Sequence, residues 1–100
     1  MKVIEAVIQQ LKLQEVRNAL DGMGVEDYME SSVNCHRNRK ESTMIFRGAM
    51  FVANIVERVK LEIIAADDSV EKIIEVIGSI AKTGRREDCR IAIRPYQEVT

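Results

Sequence analysis

Two segments of this chain gather charged and nucleophilic side chains densely enough to do chemistry. The first, "NCHRNRKESTMIFRGAMF" at 34–51, sets Arg37, Arg39, Lys40 and Arg47 against a single acid, Glu41, and opens with Cys35 and His36. The second, "KTGRREDCR" at 82–90, sets Lys82, Arg85, Arg86 and Arg90 against Glu87 and Asp88 and carries the other cysteine, Cys89. Guanidinium groups clustered this way suit phosphate or an acidic partner. A turn of the second kind can also aim backbone N–H groups at a phosphate. Each segment has a plainer alternative. The first can be a solvated loop without a ligand, and the second can be cations that complement a helix C-terminus.

Catalysis finds little support in these residues. Cys35 and His36 are neighbours in sequence, and a Cys–His pair can activate a thiolate. Adjacent residues on a strand point to opposite faces, however, so this pair is poorly placed. No GxGxxG or Walker loop is present. The cysteines fit no CxxC or zinc spacing and read as free thiols of a reducing compartment.

The elements that position these segments follow from the apolar spacing. Residues 2–8, "KVIEAVI", form a β-branched, apolar run that reads as a buried strand. Leu13, Val16, Leu20 and Met23 recur at helical spacing, so a helix is expected over 12–23, closed by Gly24. A weaker strand signal covers 28–35. Ile55, Val59, Leu61 and Ile63 then alternate with Arg58, Lys60 and Glu62, the clearest strand pattern in the chain. A second helix carries the stripe Val70, Ile73, Ile74, Ile77, Ile80 and Ala81, with Asp67, Asp68 or Ser69 as its cap and Gly84 as its stop. "CRIAI" at 89–93 is a final strand closed by Pro95.

The order is βαβ–βαβ, which predicts an α+β, ferredoxin-like domain: an antiparallel sheet with both helices on one face. The 100 residues make one such domain, 1–100. Residues 37–50 are then a loop of about 14 residues, a length that is usually functional or disordered. Strand 1 is apolar on both sides, with Ile4, Ala6 and Ile8 on one and Val3 and Val7 on the other. Part of the open face is therefore expected to be covered by another subunit. A net charge of −1 argues against a nucleic-acid surface, and aromatic platforms for stacking bases are missing beyond Phe46 and Phe51. No apolar run is long enough to insert in a membrane, and the N-terminal residues do not read as a signal peptide, which points to the cytoplasm.

"MKVIEAVIQQLKLQEVRNALDGMGV", "STMIFRGAMF", "VERVKLEIIAADDSVEKIIEVIGSIAKTG" and "TGRREDCRIAI" together resemble the PII signal-transduction family, the nitrogen-regulatory trimers. The resemblance runs without gaps from Met1 to about Ile93. It implies a non-enzymatic homotrimer of ferredoxin-like subunits. It makes 37–50 the T-loop, which docks on a partner protein such as a membrane transporter or a metabolic enzyme, and 82–90 the B-loop. Between subunits it implies an adenine-nucleotide site. The residues it implicates there are Val7, Cys35, Arg37, Arg39, Ile64, Thr83, Arg86, Glu87, Asp88, Cys89 and Arg90, with Val7 and Ile64 against the adenine. For partner binding it points to Arg37, Arg39, Lys40, Phe46, Arg47 and Phe51.

The departures from the family pattern carry expectations of their own. Phe51 stands where enteric relatives have a tyrosine that is uridylylated, and it has no hydroxyl to modify. Phe46 lacks the hydroxyl of the other T-loop tyrosine. Arg39 replaces a glutamine of the Mg-ATP and 2-oxoglutarate site, and Arg58 replaces a lysine there. Cys35, Glu87 and Cys89 replace glycines, so side chains crowd the phosphate cradle. The sequence ends at Thr100, short of the family's C-terminal arginine-bearing segment. Sensing of 2-oxoglutarate is therefore expected to be lost. Nucleotide binding is expected either to survive in a weaker or altered form, favouring a less charged ligand such as ADP or AMP, or to be lost. The profile is closer to the divergent PII-like proteins found beside bicarbonate transporters or carboxysomes. An alternative built on the same cysteines is a ferredoxin-like trimer that binds metal or responds to redox state through Cys35, Cys89 and His36, without nucleotide.

Overall fold

The computed structural model describes residues 1–36 and 55–100. In chain order they form β1 (Lys2–Ile8), α1 (Leu13–Gly22), β2 (Tyr28–His36), β3 (Ile55–Ala65), α2 (Val70–Ala81) and β4 (Cys89–Pro95). Single 3-10 turns at Gln10–Lys12, Asp67–Ser69 and Arg86–Asp88 lead into α1, α2 and β4. The strands make one sheet in the order β2-β3-β1-β4, and each neighbouring pair is antiparallel. This is the expected ferredoxin-like α+β layout.

The alternation on β3 decides which face meets the helices. Val59, Leu61, Ile63 and Ala65 are buried, and in register they oppose Ile8, Ala6, Ile4 and Lys2 of β1. Val16 and Leu20 of α1 and Val70, Ile73, Ile77 and Ala81 of α2 close over them to form the core. Each fully buried Leu or Ile contributes on the order of 1.5–3 kcal/mol, so most of the burial comes from this aliphatic layer, with Tyr28 packed at its margin.

Val3 and Val7, on the open face of β1, are also buried within the single chain. Their ladder partners, Ile64 and Arg94 for Val3 and Lys60 and Arg90 for Val7, flank them on that face. The same face carries a network of charges. Arg94 pairs with Glu5 at 2.9 Å and lies 3.9 Å from Glu62, which in turn sits 4.0 Å from Lys60.

The helix ends differ from one another. After α1 the backbone closes on itself: the Gly24 N–H donates to the Asp21 carbonyl and the Val25 N–H to the Leu20 carbonyl, with Gly24 at φ 78. This is a Schellman arrangement, which needs the positive φ that glycine adopts without penalty. At the start of α2 none of Asp67, Asp68 and Ser69 supplies the expected cap, since no side-chain cap bond forms. The 3-10 turn lifts Asp67 away from the helix end, and its carboxylate pairs instead with the Met1 amine at 3.1 Å. Gly84 does adopt a positive φ of 92, but α2 has already ended at Ala81.

Candidate functional site

The site is built outward from Asp88. This carboxylate is buried at the end of the 82–90 loop, with its side chain 7% exposed. Three elements turn donors toward it. Gln9, just past β1, donates its Nε2 to Oδ1 at 3.2 Å. Arg58 on β3 donates Nη2 to the same oxygen at 3.3 Å. Thr83, five positions upstream, donates its hydroxyl to Oδ2 at 2.5 Å. Burying a charge is tolerated only when it is paired and hydrogen-bonded, and here both conditions are met.

Arg58 is committed equally fully. Besides Asp88 it donates Nε to the Glu87 carbonyl at 3.2 Å and Nη1 to the Glu57 carbonyl at 2.9 Å. Beside them Arg85 donates to the Glu87 carboxylate at 2.8 Å, and its Nε is 3.9 Å from Asp88. The Arg85 guanidinium is held above its ordinary pKa, first by that hydrogen bond to Glu87 and then by the charges of Glu87 and Asp88. The Glu87 carboxylate is thus ion-paired within the chain.

Against this frame lies a cleft of about 420 Å3, lined by Glu5, Val7, Arg86, Cys89, Arg90, Ile91 and Ala92. It runs along β4, which among the described residues is an edge strand paired with β1. Val7 and Ala92 give it an apolar wall, and Arg86 and Arg90 give it two cations. The Arg90 guanidinium extends across the open face, where Nη2 donates to Cys35 Sγ of β2 at 3.6 Å.

The expected site residues therefore sort into groups. Val7, Arg86, Cys89 and Arg90 share the cleft. Thr83, Glu87 and Asp88 form the frame behind it, held by bonds inside the chain. Cys35 reaches the cleft only through Arg90. Ile64 does not join them: it pairs with Val3, whereas Val7 pairs with Lys60. Four residues of strand separate the two positions, about 13 Å. Ile64 borders a different hollow, between the 22–27 connection and the start of α2. Arg37, Arg39, Lys40, Phe46, Arg47 and Phe51 lie outside the described residues. Gln9 and Arg58 were not anticipated as partners of Asp88. The outward phase of Arg58 on β3 was visible in the sequence, but nothing local marked Gln9.

Within one chain the sheet keeps the groups of the cysteine alternative apart. Cys35 lies on β2 and Cys89 on β4, the two opposite edges, with β3 and β1 between. Three strand spacings make about 14 Å, well past the roughly 7 Å a disulfide spans between Cα atoms. The two side chains also occupy different faces. Cys35 pairs with Val56 on the open face, and Cys89 pairs with Ile8 and packs against the core under the helices. Burial raises the Cys89 thiol pKa, with Lys82 opposing the shift weakly. His36 falls on the helix face, opposite to Cys35. Within one chain these groups cannot form a redox pair or a common metal site, and among the described residues no cluster of His, Cys, Asp and Glu is arranged to hold a metal.

The architecture is that of a ferredoxin-like α+β domain whose loop after α2 carries a cationic cleft at the sheet edge. The family model for nitrogen regulatory protein P-II matches residues 1–100. The chain is 38% identical over 98 residues to nitrogen regulatory protein P-II of Cereibacter sphaeroides, covering 98% of this chain and 88% of the relative. It is 37% identical over 99 residues to the P-II protein of Azospirillum brasilense, covering 99% and 88%. Nitrogen regulatory protein GlnK of Escherichia coli K12 is 29% identical over 99 residues, again with 99% and 88% covered. The chain belongs to the nitrogen regulatory P-II family, whose members are signalling regulators and not enzymes. Among the described residues no helix is long and apolar enough to cross a membrane.

Proposed function

We propose that this protein is a cytoplasmic, trimeric regulator that binds an adenine nucleotide (ADP, AMP or ATP) in the β4-edge cleft and acts on a partner protein through residues 37–50. The observation that carries this reading is the pairing of Arg86 and Arg90 with the apolar wall of Val7 and Ala92 in one cleft. Phosphate oxygens suit guanidinium groups bidentately, and a flat base suits an aliphatic wall. Arg85, the third arginine nearby, is neutralised by Glu87 and Asp88. Two available cations favour a monophosphate or diphosphate over a triphosphate.

The separation of Val7 from Ile64 supports a shared site. If both line one ligand, Ile64 must come from a neighbouring protomer. The open face, with its Glu5, Arg94, Glu62 and Lys60 network, is the surface such a neighbour would meet. 2-Oxoglutarate is disfavoured because the three nitrogens of Arg58 already donate inside the chain. A partner protein, a transporter or a metabolic enzyme, is favoured over nucleic acid because the basic residues of 37–50 are offset elsewhere to a net charge of −1.

Calorimetry with ATP, ADP, AMP, cyclic AMP, 2-oxoglutarate and bicarbonate tests the reading. Saturable binding of an adenine nucleotide, lost in Arg90→Ala, is the expected result. Silence towards every adenine nucleotide, or binding that Arg90→Ala leaves intact, sinks it.

A further inference from the structure

We infer that Cys35 is a positioning residue for the cleft: its thiol holds the Arg90 guanidinium, so that the thiol and an incoming anion compete for one cation. The inference rests on the nucleotide reading above and deepens it.

Arg90 lines the cleft and also reaches across the open face. Its backbone opposes Val7 on β1, while its Nη2 donates to Cys35 Sγ at 3.6 Å, on the far strand of the sheet. Two other arginines at the loop, Arg58 and Arg85, are held by strong acceptors. Arg58 donates to Asp88 and to two carbonyls, and Arg85 donates to a carboxylate at 2.8 Å. Arg90 is held by a thiol sulfur, among the weakest acceptors a side chain offers. A phosphate oxygen makes a charge-assisted bond roughly twice as strong as a neutral one. Of Arg58, Arg85 and Arg90, Arg90 is therefore the one that a ligand can recruit at least cost. The side chain at position 35 sets how firmly Arg90 is held beforehand, and a ligand that needs a cation held elsewhere binds more weakly in proportion.

The test varies the acceptor at position 35 in the full chain. Cys35→Ala releases Arg90 and should tighten ADP and AMP binding by about threefold, the worth of one weak hydrogen bond. Cys35→Asp supplies a fixed carboxylate that captures Arg90 and should weaken binding by at least about tenfold. Cys35→Asn, close to Asp in shape but uncharged, should stay within about twofold of the wild type, which separates charge from crowding. A merely structural role would lower thermal stability and affinity together in every variant, so ligand-free melting of all three accompanies the calorimetry. Equal losses in the Asp and Asn variants, or no change in any variant while Arg90→Ala abolishes binding, overturn this inference and leave the nucleotide reading standing. A wild-type protein that binds neither ADP nor AMP overturns both.

Discussion

The two helix-to-strand connections occupy equivalent places in the two halves of the fold and are held in opposite ways. After α1 the chain turns on backbone bonds through Gly24, and among the described residues no charged side chain takes part. After α2 the turn is held by side chains: Gln9, Arg58 and Thr83 converge on Asp88, and Arg85 covers Glu87. A backbone turn is indifferent to nearby charge. A loop held by ion pairs responds to any anion that approaches it. The arginine-bearing cleft accompanies the second kind.

Removing the hub of the second connection should have the largest effect. Asp88→Ala leaves Arg58 buried without its partner carboxylate, which costs about 3 kcal/mol and lowers the melting midpoint by on the order of 15 °C. Asp88→Asn keeps an acceptor oxygen and should lose less. If Asp88→Ala melts like the wild type, the loop is not held by side chains and the contrast fails.

The first connection should respond more weakly and in a different manner. An added Cβ at Gly24 meets nothing within 4 Å, so Gly24→Ala is charged only with the positive φ. That costs about 1 kcal/mol. The loss should not change with salt in chemical denaturation, since no ion pair is involved. A salt-dependent loss would show that charge acts at this turn as well.

A smaller effect probes a charged link outside both connections. Arg17 of α1 donates Nε and Nη2 to the Glu30 carboxylate of β2, both at 2.6 Å. The hydrogen bond from Arg17 lowers the Glu30 pKa below its ordinary value. A depressed carboxylate stabilises the fold above the ordinary glutamate range, and that contribution disappears as pH falls through the lowered value. Glu30→Gln should therefore lower the melting midpoint slightly at pH 7 and leave it unchanged once acid has protonated the wild-type group. Equal losses at both pH values would mean packing, not charge, joins α1 to β2.

The smallest perturbation is a rate. Because burial raises the Cys89 thiol pKa, iodoacetamide should label Cys89 more slowly in the folded protein than in urea at the same pH. Equal rates would place the thiol in open solvent and loosen the packing of β4 beneath α2.

Much of this molecule was legible in its sequence because secondary structure obeys short periods. The alternation from Val59 to Ala65 placed β3 and its buried face, and the stripe from Val70 to Ala81 placed α2. Glycine after Met23 marked the end of α1, since few other residues take that backbone angle. The charge of 82–90 marked the connection between α2 and β4. Each of these signals lies within one turn or one pleat of the residue it concerns.

What the tertiary structure alone decided is which side chains meet. Gln9 and Asp88 are 79 positions apart, and only the β1–β4 register brings them within a hydrogen bond. The same register and strand order carried Cys35 and Cys89 to opposite edges and faces, and set Ile64 at the far end of the sheet from Val7. Periodicity tells each residue which face it occupies. Which neighbour it finds there depends on how distant strands align, and that is settled by the packing of the whole core.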